Sequence, residues 1–264
     1  MSEHVQPAAA GQTVVVTGAG SGIGEATALL AVHAGYTVAA IGLEAPRRPA
    51  PEWTEAEQAG RLRFLACDVR SEDDVVGVFA RLADADLAGV VCSAGIDAGA
   101  PTHELTLQMW NDVISTNLTG TFLTCREAIK VFRRAKRPGS IVCISSPWSF
   151  VAPRGGAAAA YASSKGGISS FVRALAVEYA GVGIRVNAVT PGATETPLMW
   201  ANVTGDQIDA VRTQIEREVP VGRLAAAAEP AAAILWLLSS AAGYVTGANL
   251  TCDGGALAAG VLTV

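Results

Sequence analysis

The chain has 264 residues, of which 50% are hydrophobic and only 16% charged, so it can bury a substantial core and has no long charged or low-complexity tract typical of disorder. Its net charge of −5 disfavours a nucleic acid or an anionic membrane as partner. We find neither an apolar stretch long enough to span a membrane nor a signal-peptide pattern, and we therefore expect a cytoplasmic protein.

Short apolar runs alternate with stretches of helical spacing along the chain. The apolar runs predict strands at residues 12–17, 37–43, 62–67, 87–92, 140–145, 184–189 and 249–252. The helical spacing predicts helices at residues 21–34, 72–83, 111–134, 161–179 and 230–239. Three prolines at positions 46, 49 and 51 shorten the helix after the second strand, which we expect at 53–59. This order predicts an α/β fold, a doubly wound parallel sheet with helices on both faces.

We find no internal repeat and no linker within this order of elements. Residues 1–11 are expected to form a loose N-terminal tail, and residues 12–264 a single domain. Five cysteines are present, an odd number, and none has the spacing of metal ligands. We interpret them as small, mostly buried apolar residues in a reducing compartment and predict no metal site. They are Cys67, Cys92, Cys125, Cys143 and Cys252.

A glycine-rich turn, residues 17–24, follows the first predicted strand and opens the first predicted helix. Bare backbone at Gly18, Gly22 and Gly24 lets the chain turn tightly and lets a pyrophosphate approach. The free amides and the positive end of the helix then attract the anion. Because the turn lies between a strand and a helix, it predicts a dinucleotide site.

Tyr161 and Lys165 are four residues apart in a predicted helix and therefore share one face. A cation about 4 Å away, at an effective dielectric constant of about 20, favours a phenolate by roughly 4 kcal/mol before desolvation opposes it. The pair predicts a tyrosine that exchanges a proton near neutral pH. The alternative is a packed aromatic ring beside a solvated lysine.

Several motifs in order resemble the classical short-chain dehydrogenase/reductase family, over residues 12–255. Further positions match beyond the glycine turn and the Tyr161/Lys165 pair. They are Asp68-Val69, Asn117, Pro191-Gly192 with Thr194 and Thr196, and Asp253-Gly254-Gly255. The family's Asn-Asn-Ala-Gly motif is matched only in its second half, as Cys92-Ser93-Ala94-Gly95. The resemblance implies a Rossmann-type fold and a hydride transfer between C4 of a nicotinamide and a secondary alcohol or ketone.

The resemblance also implies roles for individual residues. Tyr161 would be the general acid/base, Lys165 would lower its pKa and hold the nicotinamide ribose, and Asn117 would hold a water. Contacts to the cofactor are expected from Gly18, Ser21, Gly22, Ile23, Gly24, Glu44, Asp68, Val69, Ala94, Gly95, Tyr161, Lys165, Pro191, Gly192, Thr194 and Thr196.

The catalytic serine implied by the resemblance has three candidates. The family's serine usually precedes the tyrosine by thirteen residues, a position that Trp148 occupies here. Ser146 fits by its place after the fifth strand and is our choice, with two extra residues accommodated in the loop 154–160. Ser145 and Ser149 are the alternatives. Ser146 would donate a hydrogen bond to the substrate oxygen.

We expect NAD rather than NADP as the cofactor. An acidic residue after the second strand would bind the adenosine ribose and repel a 2′-phosphate. The expected position is Gly42, but Glu44 follows two residues later. Arg47 and Arg48 would favour a phosphate if they reached it, and Ser21 stands where phosphate-preferring relatives often carry a basic residue.

The family resemblance places a substrate lid at about residues 194–219. Apolar side chains there and near the active site favour a hydrophobic, cyclic secondary alcohol or ketone. These residues are Leu198, Met199, Trp200, Trp148, Phe150 and Ile96. His103 and Asp97 are interpreted as surface polar groups, with a role in tuning the site as the alternative. Two long helices carry apolar faces too wide for a monomer to bury, and the resemblance implies a homotetramer built on them, with a dimer as the alternative.

Two other functions remain open from the sequence. A 3-oxoacyl-[acyl-carrier-protein] reductase would use a basic docking surface and usually NADP. The candidate basic stripe comprises Arg126, Lys130, Arg133, Arg134, Lys136 and Arg137. A non-catalytic dinucleotide-binding regulator would have no need to keep Tyr161, Lys165 and Asn117 together.

Overall fold

A computed structural model describes residues 11–152 and 157–259. The predicted N-terminal tail, apart from Gly11, lies outside the described residues. Residues 154–156 of the loop that was expected to accommodate the extra length lie outside them as well.

Seven parallel strands form the main sheet in the order β3-β2-β1-β4-β5-β6-β9, which confirms the predicted doubly wound topology. Because the chain runs outward from β1 on one side and from β4 on the other, a crevice opens at the carboxyl ends of these two strands. A separate pair of two-residue strands is formed by β7 and β8. The strands are β1 (Thr13–Thr17), β2 (Thr37–Gly42), β3 (Leu62–Ala66), β4 (Leu87–Cys92), β5 (Gly139–Ile144), β6 (Ile184–Pro191), β7 (Thr194–Glu195), β8 (Ala225–Ala226) and β9 (Asn249–Cys252).

Helices cover both faces of the sheet and create two apolar layers. Successive residues of β1 point to opposite faces, so Val15 belongs to one layer and Val14 and Val16 to the other. Helices α3, α5 and α6 pack on the Val15 side, and α1, α2 and α9 on the opposite side. The helices are α1 (Gly22–His33), α2 (Pro51–Gln58), α3 (Glu72–Arg81), α4 (Leu107–Ile114), α5 (Gly120–Ala135), α6 (Ala159–Tyr179), α7 (Pro197–Trp200), α8 (Ile208–Glu218) and α9 (Ala228–Leu238).

The helix predicted at 111–134 differs from the observed structure. The helical segment starts earlier, at Leu107, and a five-residue π-helical turn, Ser115–Thr119, separates α4 from α5. The other predicted helices and strands end within two residues of the observed bounds. Helix α8 was not predicted, although Ile208, Val211 and Ile215 have helical spacing.

All five cysteines lie within the described residues, and all are free. Among the described helices, none combines the length and the hydropathy that a bilayer-spanning segment requires.

We expect the apolar layer beneath α9 to contribute strongly to stability. Ile234 in α9 is fully buried, whereas Leu107 at the start of α4 is 74% exposed. Ile234→Ala should lower the free energy of unfolding by about 2–5 kcal/mol because it leaves a cavity. Leu107→Ala, the matched control, should change it by less than about 0.5 kcal/mol. Denaturant titrations of both variants measure the difference, and equal effects would contradict the packing described here.

Candidate active site

The glycine turn is closely packed against the end of β4. A Cβ atom at Gly18 would lie 2.7 Å from the Ala94 Cα, and one at Gly24 would lie 2.2 Å from the Gly18 carbonyl oxygen. The Thr17 hydroxyl accepts hydrogen bonds from the backbone amides of Ser93 and Ala94, at 3.1 and 3.2 Å. A larger residue at Gly18 would force the turn away from the end of β4, and one at Gly24 would force the start of α1 away from the turn.

The first turn of α1 is suited to an anion. Gly22 has a φ of +59°, which favours glycine. Ser21 precedes the helix in an extended conformation, and its side chain makes no capping hydrogen bond to the first-turn amides. Ile23 packs on the apolar layer beneath the helix. Since free amides and the positive helix end bind phosphates, the turn fits the pyrophosphate of a dinucleotide.

The end of β2 lies beside this turn. A Cβ atom at Gly20 would be 2.3 Å from the Glu44 carbonyl oxygen. The Glu44 side chain is 69% exposed and forms an ion pair with Arg47 at 3.4 Å. Glu44 therefore lies at the crevice, and Arg47, which the sequence analysis considered as a phosphate partner, is bound to it.

Asp68 and Val69 lie after β3, each held by its own contact. The Asp68 carboxylate accepts a 2.7 Å hydrogen bond from Arg70, which holds the pKa of that carboxyl below its usual range. A Cβ atom at Gly120 would lie 2.7 Å from the Val69 side chain, so α5 approaches this strand end closely.

Tyr161 and Lys165 lie one turn apart near the start of α6. The Lys165 amine is 5.5 Å from the centre of the Tyr161 ring and donates a 2.7 Å hydrogen bond to the Ile144 carbonyl. Lys165 is only 3% exposed, whereas Tyr161 keeps some exposed surface. The Trp148 ring packs edge-on against Tyr161, with 5.6 Å between the ring centres.

The predicted lowering of the Tyr161 pKa is not observed in this structure. Burial raises the pKa of Tyr161 to about 12, the Ser146 hydroxyl opposes this rise by hydrogen bonding to the phenol, and the charge of Asp97 adds to it. Burial also lowers the pKa of Lys165 to about 8. Desolvation is therefore the largest influence on the pKa of Tyr161. Asp97, interpreted from the sequence as a surface group, contributes to the electrostatics of the site.

The three candidate serines have different surroundings. The Ser145 hydroxyl is buried and bonds the hydroxyls of Ser149 and Ser169, at 3.0 and 2.8 Å. The Ser149 hydroxyl also donates to the Ser146 carbonyl. Ser146 accepts a hydrogen bond from the Trp148 amide at 3.3 Å, and its hydroxyl lowers the pKa of Tyr161 against the rise that burial causes. Among the three, Ser146 is the one that influences the ionisation of the tyrosine.

Asn117 is fully buried in the π-helical turn and joins three elements. Its side chain accepts from the Ile96 amide at 2.8 Å and donates to the Ile96 carbonyl at 2.9 Å and to the Ser164 hydroxyl at 3.0 Å. A Cβ atom at Gly95 would be 3.3 Å from the Asn117 oxygen and 3.6 Å from the Lys165 amine. The end of β4 is thereby fixed against α6.

The predicted contacts after β6 also lie at the crevice. Pro191 ends β6, and a Cβ atom at Gly192 would lie 2.7 Å from the Asp253 Cα, so the chain after β9 packs on this position. The Thr194 hydroxyl donates to the Gly192 carbonyl at 2.9 Å. Thr196 caps α7 and would lie 3.1 Å from a Cβ atom at Gly22.

The predicted substrate residues are only partly brought together. Trp148 contacts Tyr161 and Ile96 is held by Asn117, as described above. Met199 and Trp200 lie in α7, where Trp200 donates a 2.7 Å hydrogen bond to Glu195. The Arg212 guanidinium from α8 lies 5.1 Å above the Trp200 ring and makes two hydrogen bonds to Glu195. These contacts among Glu195, Trp200 and Arg212 were not predicted from the sequence. His103 pairs with Glu104 on the surface, as expected.

Comparison with known proteins identifies the family. A family model described as enoyl-(acyl carrier protein) reductase matches residues 18–256. The chain is 38% identical to 3beta-hydroxysteroid dehydrogenase 1 of Eggerthella lenta, covering 93% of each chain. It is 39% identical to cis-4-hydroxycyclohexanecarboxylate dehydrogenase of Sinomonas cyclohexanicum, covering 92% of this chain and 96% of that one.

The chain belongs to the short-chain dehydrogenase/reductase family. A crystal structure of a Beutenbergia cavernae protein, assigned as an NAD(P)-dependent gluconate 5-dehydrogenase and containing NADP at low occupancy, is similar with a TM-score of 0.86. That protein is 35% identical, and the match covers 96% of this chain and all of the other. This short-chain dehydrogenase/reductase is therefore an NAD(P)-dependent oxidoreductase that acts on CH–OH groups.

The contact between Ser146 and Tyr161 predicts a shift in the tyrosine's ionisation. Ser146→Ala removes a hydroxyl that favours the phenolate, so the pKa of Tyr161 should rise further. The acid limb of the pH profile of kcat for alcohol oxidation reports this change and should move to higher pH in Ser146→Ala. Ser149→Ala is the control and should leave the profile unchanged. A larger shift in Ser149→Ala than in Ser146→Ala would show that the serine at the phenol is wrongly assigned.

Proposed function

We propose that this enzyme interconverts a hydrophobic, cyclic secondary alcohol and its ketone, with Tyr161 as the general acid/base. The observation that carries the proposal is the convergence of Ser146, Tyr161, Lys165 and Asn117 beside the crevice at the ends of β4 and β5. Bound NAD(P) supplies the hydride acceptor or donor for this chemistry.

The cofactor's pyrophosphate fits the glycine turn because no side chain caps the first-turn amides of α1 and Gly22 adopts a φ of +59°. We propose that the amides from Gly18 to Gly24, with Ser21, Gly22 and Ile23, bind the pyrophosphate. The remaining contacts proposed from the resemblance are Glu44 at the adenosine ribose, Asp68 and Val69 at the adenine, Ala94 and Gly95 along the crevice, Tyr161 and Lys165 at the nicotinamide ribose, and Pro191, Gly192, Thr194 and Thr196 towards the carboxamide.

In the proposed mechanism, Tyr161 accepts the substrate hydroxyl proton during oxidation and returns it during reduction. Ser146 donates a hydrogen bond to the substrate oxygen, where negative charge develops. The Lys165 ammonium, 5.5 Å from the centre of the Tyr161 ring, is proposed to favour the phenolate against the desolvation that raises the tyrosine's pKa. Asn117 holds Ile96 and Ser164 in place and is proposed to hold a water that links Lys165 to solvent.

A cyclic apolar substrate is supported by the side chains at the site. We propose that Ser146 and Trp148 contact the substrate beside Tyr161 and that Ile96, Met199 and Trp200 enclose its apolar part. The contacts of Trp200 with Glu195 and Arg212 would keep the lid, residues 194–219, in a defined position. Two similar dehydrogenases are named for ring alcohols, a hydroxysteroid and a hydroxycyclohexanecarboxylate, which also supports a cyclic substrate.

An acyl-carrier-protein substrate is less consistent with the surface charges. Within the candidate basic stripe, Arg126 pairs with both Glu72 and Glu127 at 2.8 Å, and Lys130 pairs with Glu127 at 2.8 Å. Arg137 pairs with Asp86. These acidic partners neutralise much of the charge that would attract an acidic carrier protein.

The assembly and the location are further proposals. Phe122 on α5 and Phe171 on α6 pack edge to face, with 6.2 Å between ring centres, and Phe122 remains exposed. This apolar surface supports a homotetramer, with a dimer as the alternative. We propose one domain over residues 12–264 and a cytoplasmic location, in line with the free cysteines.

Tyr161→Phe is the principal test of the proposed function. The phenylalanine keeps the ring packing against Trp148 but cannot exchange a proton, so turnover should fall at least about a hundredfold while the cofactor still binds. A panel of cyclic alcohols and ketones, followed at the absorbance of the reduced nicotinamide, measures turnover. Retained turnover would reject Tyr161 as the acid/base.

We propose a preference for NAD over NADP, which Glu44 would produce by repelling a 2′-phosphate. Comparing kcat/KM with the two cofactors should show higher values with NAD. Glu44→Gln should reduce the preference by about tenfold, which corresponds to about 1.4 kcal/mol. Glu52→Gln, on α2, is a control that removes an equal charge elsewhere. Higher efficiency with NADP in the unchanged enzyme would overturn the proposal.

A further inference from the structure

Three buried thiols lie together beneath the active site. Cys92 ends β4, Cys143 is in β5, and Cys125 reaches them from α5. None is more than 3% exposed. The Cys125 sulfur is 3.7 Å from that of Cys92 and 3.9 Å from that of Cys143, and all three sulfurs lie within 4.8 Å of one another. Among the described residues, neither a histidine nor a carboxylate belongs to this group of three cysteines.

The separations of the three sulfurs match those of a three-coordinate metal site. A metal–sulfur bond of about 2.3 Å in a planar, three-fold arrangement separates neighbouring sulfurs by about 4.0 Å. The two measured separations are close to this value, so small side-chain movements would complete the site. A disulfide would join only two of the sulfurs at about 2.05 Å and leave the third thiol unused.

The ligand type and its surroundings select the metal. Thiolates are soft ligands that favour Cu(I) and zinc, but closed zinc sites use four protein ligands, and this group offers three. Three thiolates and one Cu(I) carry a net charge of −2, which needs a nearby cation in an apolar environment. The Lys165 ammonium is such a cation, since it is held at 2.7 Å by the carbonyl of Ile144, the residue that follows Cys143.

We propose that Cys92, Cys125 and Cys143 form a binding site for one Cu(I) ion. Three S–H bonds break, three Cu–S bonds form, the protons pass to solvent, and the oxidation state of copper does not change. The site adjoins the catalytic residues, since Cys143 directly precedes Ile144, whose carbonyl holds the Lys165 amine. Cys92 and Cys143 are register partners in the paired strands β4 and β5, so copper binding would tie α5 to the ends of these strands and is expected to lower turnover.

The test measures copper directly. The reduced protein is incubated anaerobically with a Cu(I)–acetonitrile complex, for long enough to let the buried site open, and excess copper is removed with a Cu(I) chelator. We expect one copper per chain by elemental analysis, and X-ray absorption should show sulfur ligands at about 2.3 Å. Cys67→Ala, which removes a buried thiol outside the cluster, should keep the copper, while Cys125→Ala should lose it.

Cys143→Ser keeps the size of the side chain and serves as a second variant if Cys125→Ala does not fold. Circular dichroism and thermal unfolding identify the folded variants. Absence of copper from the unchanged protein would overturn the proposal, and so would copper retained in full by folded Cys125→Ala or Cys143→Ser. Because the readout is bound copper, its outcome is independent of whether Tyr161 is the acid/base.

Discussion

The hydrogen bond from the buried Lys165 amine to the Ile144 carbonyl is the contact on which the site depends. It joins α6 to the end of β5 and thereby places Tyr161, on the same helix, beside Ser146, which follows that strand. A cation in this environment is costly, and its pKa falls to about 8 as a result. Perturbed groups of this kind cluster at functional sites, where surrounding contacts hold them in place.

The same crevice that receives Tyr161 is formed by backbone contacts that side chains would prevent. Gly18 meets Ala94, and Gly24 meets the Gly18 carbonyl, so the glycine turn and the end of β4 share one edge of the sheet. Asn117 extends this edge by bonding both backbone groups of Ile96. Parallel strands and close backbone packing therefore bring the proposed cofactor and catalytic residues together, although they are distant in sequence.

Much of this arrangement was predictable from the sequence, because buried parallel strands are continuous apolar runs and glycine turns have a fixed spacing. The π-helical turn at Asn117 was not, since one shifted hydrogen bond leaves the hydrophobic spacing nearly unchanged. The raised pKa of Tyr161 depends on burial by Trp148 and other neighbours, which spacing along a helix cannot give. The thiol cluster comes from three separate elements, and the Glu195–Arg212 ion pair joins β7 to α8.

We propose that the buried charge of Lys165 makes Tyr161 usable as a base. The pH profile of kcat for alcohol oxidation by the unchanged enzyme and by Lys165→Met tests this proposal. Methionine fills similar space without the charge but leaves the Ile144 carbonyl without its donor, so circular dichroism and cofactor binding first establish that the variant is folded. We expect kcat to fall at least about a hundredfold at neutral pH and its acid limb to move to higher pH. An unchanged profile in a folded, cofactor-binding variant would contradict it.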